Sequence, residues 1–509
     1  MKFSLTPVFL ESNNDRIAVI SKSDLSDGIS LSGHQVIISN NNSSYYCDKV
    51  VSSPHFEPGI IGLSKTAFAS LNLSFNSAEK VQVTLTPRET PESYLLVKQR
   101  MLDPNFRLTK EMMNTIVGDV VSGRLSQIEQ SAFVLAQQFQ EWSMDEIQFF
   151  TESIAYTGET IDFGETTYDK HSLGGVPGNK VTLLIVPIIA AADLLIPKTS
   201  SRAITSPSGT ADTMEALGCE VSFNSSEIVE MAKKTRGLIV WGGALNLAPA
   251  DRILIDNAEY PLGIDPKSMF MASIMAKKKA LGVDFVVLDI PTGKGAKVTS
   301  LPEARHLARA FGELGQRLDI HVECGITFAS LPVGHTVGPA LEAREALSAL
   351  IDPKHASTSL VEKSTGLAGM LLEQAGKAPR GQGQNKAKEL LYSGRAYQKM
   401  KEIIEVQGGN PEMKPTDVPI GQYTCEYRAP ASGWPADIDN KMVNQIAKAA
   451  GAPKEQGAGI QFIIKKESVN AGDIIFRVHT TSSERLTKVE SLIQKLNPIT
   501  IEGMLLERI

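Results

Sequence analysis

Residues 170–180 read KHSLGGVPGNK, and residues 181–197 after them read VTLLIVPIIAAADLLIP. The first stretch holds two lysines, a histidine, a serine and three glycines in eleven positions. In the second, Leu184, Ile185, Ile188, Ile189 and Ala192 recur with the period of a helix. A glycine loop therefore runs straight into a helix N-terminus. Free backbone N–H groups and the positive end of the helix dipole make such a place a natural anion site. Lys170, Ser172 and Thr182 would add one charge and two hydroxyls. No Gly-Lys-Ser/Thr triplet closes the loop, so it is not a Walker A motif. Taken alone, the stretch reads equally well as a phosphate cradle or as a polar turn before a buried helix.

A second segment shifts that balance. Residues 197–218, PKTSSRAITSPSGTADTMEALG, pass from a short extended piece through a hydroxyl-rich loop to a helix. Ser200, Ser201, Thr205, Ser206, Ser208 and Thr210 crowd around Arg202. Any single hydroxyl here reads first as a cap or turn residue, and Ser208 fits an N-cap. Two such loops in one α/β domain predict convergence at the C-terminal edge of a parallel sheet.

A third segment, residues 248–279, carries Asp251, Asp256, Asp265, Ser273 and the run Lys277, Lys278, Lys279. From Met269 it reads as a helix with Ser273 and Lys277 on one face, at i and i+4. Three consecutive lysines read as a solvated face. Residues 288–298, LDIPTGKGAKV, supply another strand and glycine loop, with Lys294 and Lys297.

The organisation around these motifs is legible from hydrophobic period. Residues 1–86 are rich in Ser and Asn, and Val81, Val83 and Leu85 alternate as a half-buried strand does, which predicts a β-rich N-terminal domain. Residues 87–160 read as four amphipathic helices, with Ser126 and Ser143 at N-cap positions, hence an all-α domain. Residues 161–414 alternate strand-like and helical runs, which predicts a mainly parallel α/β domain. Residues 415–509 read as a C-terminal α+β subdomain. The fold class is thus multidomain α/β.

Bulk properties narrow the function. A chain of 509 residues suggests about three or four domains. The net charge of −6 argues against general binding of nucleic acid. Cys47, Cys219, Cys324 and Cys425 lie far apart with no metal-ligand spacing, which points to a reducing cytoplasm. The first residues, MKFSLTPVFLESNN, lack a signal-peptide pattern. The most apolar run, Val181 to Leu195, is short and holds Thr182, Pro187 and Asp193, so a buried helix is expected rather than a membrane span. The histidines outside the glycine loop form no ligand pattern, and no metal or cofactor motif is present.

These segments, in this order, resemble the thymidine phosphorylase family of nucleoside phosphorylases. KHSLGGVPGNKVTLLIVP is similar to its signature loop and helix, and TSSRAITSPSGTADTMEALG to its second phosphate loop. LAPADRIL, MASIMAKK, LDIPTGKGAKV and VGPALEAREAL have counterparts too, over roughly residues 88–509. The SRAITS wording and the extra N-terminal domain are most similar to the branch that includes the archaeal AMP phosphorylases; some bacterial chains of this type are labelled thymidine phosphorylases.

The resemblance implies a small all-α domain, joined by a later segment near 250–280, beside a larger α/β domain, with the active site in the cleft between them. It implies phosphorolysis of an N-glycosidic bond, giving free base and a (deoxy)ribose 1-phosphate. Lys170, Ser172, Gly175, Thr182, Ser200 and Thr210 would hold phosphate, and His171 would lie near sugar and base. Ser273 and Lys277 would contact the base, and Asp265 would match the proton donor. In the nucleotide-using branch, Gly175, Ser201, Arg202, Ala203, Ile204, Thr205, Ser206, Thr210, Ser273 and Lys297 would match substrate positions. An Asp acting as acid near neutral pH needs its pKa raised well above the reference of about 3.9.

The resemblance further implies a homodimer or larger homo-oligomer, with nucleoside or nucleotide and phosphate as substrates. No cofactor, metal, nucleic acid or membrane partner is expected. One departure bears on specificity: pyrimidine-specific members carry an arginine seven residues before the position of Asp265, where this chain has Ala258. Thymidine-type and AMP-type substrates stay balanced at this point. An anthranilate-type phosphoribosyltransferase is a remote alternative that would need magnesium and an acidic pair. A non-catalytic adaptor built on the N-terminal domain is another class.

Overall fold

The structure, a computed structural model, describes residues 2–11, 16–25, 34–40, 43–47, 49–75, 80–87, 90–203, 206–464 and 468–503. Contacts group them into two units: Met1–Gly158 with Ala248–Ala276, and Glu159–Leu247 with Lys277–Ile509.

In the first unit the β-rich start of the chain forms a seven-stranded mixed sheet. Its strands Val81–Pro87 and Lys2–Phe9 pair antiparallel, and Lys2–Phe9 pairs parallel with Ile60–Leu63. Val81, Val83 and Leu85 face a core with Val36, Ile38, Ile61 and Phe68, as their alternation requires. Four helices follow, Glu92–Leu102, Lys110–Ser122, Gln127–Phe139 and Met144–Ala155. Ser126 and Ser143 cap the last two, and Glu129 and Glu146 accept hydrogen bonds from the cap amides at 2.8 and 2.9 Å. The rings of Phe133, Trp142 and Phe150 pack edge to face between them.

The later segment of this unit is knitted into the same helices. Asn257 Nδ2 donates to Gln130 Oε1 at 3.0 Å, and Ser268 Oγ donates to Gln137 Oε1 at 2.8 Å. Ala258 sits in a π-helical turn over Ile255–Glu259 and is fully buried.

The second unit is built on parallel strands. His321–Phe328, Phe285–Thr292 and Tyr168–Ser172 pair in that order, and Ile196–Ser200 pairs with Gly237–Trp241. A parallel bridge between Thr167 and Leu195 joins the two sets. Numbered along the chain, the order is 3-2-1-4-5, so chain direction reverses beside the Tyr168–Ser172 strand. Open parallel sheets bind ligands at the carboxyl ends of strands at such a switch point. The helix Thr182–Ala191 packs in the main core with all of its residues buried, Pro187 included. Among the described residues no helix is long and apolar enough to cross a membrane.

The C-terminal α+β region also forms as the sequence predicts. Tyr423–Arg428, Ile474–Thr480, Gly459–Phe462 and Thr336–Val337 make an antiparallel sheet, and Asn440–Ala449 and Ser483–Ile493 contribute to the core beside it.

The glycine loop is anchored from below by Lys180. Its buried ammonium donates to the carbonyls of Val333 and Thr336 at 2.9 and 3.1 Å and to Glu345 Oε2 at 2.9 Å. Removing one member of a buried pair strands the other. Lys180→Met is therefore expected to cost about 3–5 kcal/mol of stability, measured as a lowered urea midpoint.

Candidate active site

The first three residues of the opening stretch are not loop. Lys170, His171 and Ser172 end the strand Tyr168–Ser172, and the loop proper begins at Leu173. The strand's parallel neighbours end at Ser200 and Thr292. The glycine loop, the hydroxyl loop and the 293–298 loop therefore leave the same sheet edge, as parallel pairing demands.

Within the glycine loop, Gly175 has φ +87° and faces the Gly-Lys-Gly turn. A Cβ there would stand 3.4 Å from the backbone nitrogen of Lys297. Gly178 has φ +70°, and a Cβ would lie 2.5 Å from the carbonyl oxygen of Thr336. Both positions need glycine for conformation, and the second also for space. Thr182 starts the following helix and is buried.

Ser172 Oγ donates to Asp289 Oδ2 at 2.7 Å and accepts from Asn179 Nδ2 at 3.1 Å. With its only proton on Asp289, Ser172 must turn its hydroxyl to donate to an anion. Asp289 is fully buried and also meets Lys363 Nζ at 3.0 Å and Thr327 Oγ1 at 2.5 Å. Burial opposes its ionisation, but Lys363 and Lys170 hold its carboxyl below the usual range.

Asp169 is the matching carboxylate one residue before Lys170. It is fully buried, its Oδ1 lies 3.5 Å from Lys198 Nζ, and its Oδ2 pairs with Lys278. This corrects the reading of Lys277–Lys279 as a solvated face. Lys278 is 2% exposed, and Lys279 Nζ donates to the Leu318 carbonyl at 2.8 Å.

The cations shape the titration of the strand end. Burial pushes Lys170 down from 10.5 to about 8, with Asp289 opposing and Lys363 adding to the fall. Burial likewise takes Lys198 to about 7, opposed by Asp169. His171 is held well below the usual imidazole range by burial and by Lys278, Lys198, Lys170 and Lys277. It is a neutral hydrogen-bonding group at neutral pH.

The hydroxyl loop is closed by Asp212, whose Oδ2 accepts the amide N–H of Ala203 at 2.8 Å and of Gly209 at 2.9 Å. Gly209, not Ser208, is the N-cap of the helix Thr210–Ala216. Ser208 Oγ instead meets Thr213 Oγ1 at 3.1 Å. Arg202 turns to Glu215 at 2.6 Å and lies 4.6 Å over the Trp241 ring. Ser206 Oγ donates to the Ser208 carbonyl at 3.0 Å, and Ser200 Oγ to that of Val240 at 3.2 Å. Ser201 is exposed and Thr210 half-buried; Ile204 and Thr205 lie outside the described residues.

The structure thus gathers Lys170, His171, Ser172, Gly175, Thr182 and Lys297 around the central strand and its loop, with Ser200 and Lys277 nearby in the second unit. Asp265 and Ser273 belong to the first unit. Asp265 is exposed, and Ser273 Oγ donates to the buried Asp251 at 2.9 Å. Arg252 is exposed and reaches Asp256 at 3.4 Å, one helical turn on.

Residues 164–397 match the family model described as the glycosyl transferase family, a/b domain. The AMP phosphorylase of Thermococcus sibiricus is 47% identical over 495 residues, covering 97% of this chain and 96% of that protein. The chain belongs to the nucleoside phosphorylase family that includes the archaeal AMP phosphorylases. As a nucleoside phosphorylase it is a pentosyltransferase enzyme. The AMP phosphorylase of Thermococcus kodakarensis is 50% identical over 453 residues, covering 89% of this chain and 88% of that protein. Among solved structures, the anthranilate phosphoribosyltransferase of Thermus thermophilus superposes with a TM-score of 0.51 at 19% identity, covering 61% of this chain and 99% of that one. That likeness is one of fold alone.

Sequence reasoning missed Asp169, Lys198, Asp289 and Lys363. A signal was there for two of them: Lys198 and Asp289 are each the lone charge of their strand. Charged groups are buried only when paired.

The shift of Lys170 makes a kinetic prediction. If Lys170 is the phosphate-holding cation that the resemblance implies, the ammonium that would hold phosphate is lost as pH rises through about 8. KM for phosphate is expected to rise by about tenfold per pH unit above that point. Lys170→Arg, charged throughout, should flatten this limb in a KM-against-pH profile.

Proposed function

We propose that this phosphorylase acts on nucleoside 5′-monophosphates, AMP foremost, with inorganic phosphate as co-substrate and no cofactor. The observation that carries the reading is the 47% identity to an AMP phosphorylase along 97% of the chain. Ala258 supports it from the structure. Where pyrimidine-specific members place an arginine, this chain has a fully buried methyl group, and the nearest arginine on the same helical turns, Arg252, points to Asp256. A thymidine substrate has no comparable support.

In this reading Lys170, Ser172, Thr182, Ser200 and Thr210 surround inorganic phosphate. One phosphate oxygen attacks the anomeric carbon while the C–N bond to the base breaks. The base leaves with a proton, and the products are free base and ribose 1,5-bisphosphate. Positive charge grows on the sugar and is met by the bound phosphate. Negative charge grows on the base and is met by a proton; Asp265, exposed in the first unit, is assigned as donor by its match to the family position alone. Neutral His171 orients the sugar by hydrogen bonding. Gly175, Lys297 and the run Ser201 to Ser206 serve the nucleotide, and Ser273 and Lys277 the base. The enzyme works as a homo-oligomer in the cytoplasm, where its four free thiols stay reduced.

Incubation with phosphate and AMP, CMP, UMP, uridine or thymidine tests this directly. Base release from AMP and not from thymidine is expected, undiminished by a metal chelator. Thymidine cleavage without AMP cleavage would sink the proposal. Lys170→Ala is expected to lower kcat/KM by about 10²–10³-fold, and Asp265→Asn to lower kcat by about 10²–10⁴-fold.

A further inference from the structure

Phosphorolysis as written gives the buried cation Lys198 no task. Lys198 is the only charged residue of its strand and is 5% exposed. It lies 3.5 Å from Asp169 Oδ1 and donates to the Thr199 carbonyl. The same Asp169 Oδ1 accepts the backbone N–H of Lys170 at 2.7 Å. Lys278 occupies the other oxygen, Oδ2. Asp169 therefore holds ammonium groups from two separate elements while gripping the backbone of the first phosphate-side residue.

Charge counting sharpens the point. Four lysines, Lys170, Lys198, Lys278 and Lys363, are gathered around two carboxylates, Asp169 and Asp289. A buried ammonium is costly unless a matching anion is near. One lysine is enough to neutralise Asp169, so the second is surplus until an anion arrives at the strand end. Burial takes Lys198 down to about 7, with Asp169 opposing and Lys278 and Lys170 adding to the fall.

We propose that Lys198 is a positioning residue for phosphate: with Lys278 it pins Asp169, and through that carboxylate the strand end presenting Lys170, His171 and Ser172. Its surplus charge also favours the incoming anion. The inference rests on the reading of those three residues as the phosphate side.

Equilibrium titration of the full-length protein with inorganic phosphate, without nucleotide, provides the test. Lys198→Met is expected to weaken phosphate binding by about tenfold, the weight of one lost charge-assisted contact, and Lys198→Arg to recover most of it. A purely structural role would lower the melting temperature yet leave phosphate affinity unchanged well below melting, and that result overturns the proposal. Should Lys198→Met not fold, Asp169→Asn takes its place: weakened binding supports the proposal and unchanged binding overturns it. A wild-type protein that binds no phosphate, and that Lys170→Ala does not alter, overturns the phosphate-side reading itself and the inference with it.

Discussion

A carboxylate sealed inside a parallel sheet, Asp169, is held by one lysine from the neighbouring strand and another from the helix Lys267–Ala280. Placing charge in the middle of a sheet is expensive, and it persists only where partners arrive from other parts of the chain. Here the partners are about 30 and 110 residues away in sequence, so the charge cluster forms only once the whole sheet has closed. The strand end beyond it is then presented at the switch point of the sheet with little freedom. Electrostatic stabilisation of a reacting anion works best from groups that need not reorganise.

A second carboxylate, Asp289, mirrors the arrangement on the adjacent strand with Lys363, Ser172 and Thr327. The two aspartates divide the labour: Asp169 carries lysines and a backbone amide, and Asp289 carries hydroxyls and one lysine. Between them they leave a cationic locale with a neutral histidine. That combination suits a phosphate nucleophile beside a sugar on which positive charge develops, because an imidazolium there would oppose the charge of the transition state.

Local signals proved good guides to local structure. Ser126 and Ser143 each combine a cap hydroxyl with a glutamate three residues on, and both form capping boxes. The alternation of Val81, Val83 and Leu85 and the helix period after Thr182 were equally legible. Where a local rule had competitors it failed: Ser208 has the chemistry of a cap, but Asp212 reaches back to cap Gly209 instead. The three lysines 277–279 look solvated to any composition rule, yet the helix turns Lys278 inward by about 100° from each neighbour, onto Asp169.

The amino-acid sequence by itself determined the element types, the parallel α/β class, the two loops ahead of helices and, through its ordered motifs, the reaction class. The element types and loops follow from period, capping chemistry and glycine placement, which act over a few residues; the reaction class came from the family resemblance those motifs carry. Only the tertiary structure decided which charges are buried, that Lys198 and Lys278 share one carboxylate, that Ser172 spends its proton on Asp289, and that Ala258 is sealed from solvent. Burial and ion pairing depend on partners distant along the chain, and no local pattern encodes which of several lysines will find the aspartate.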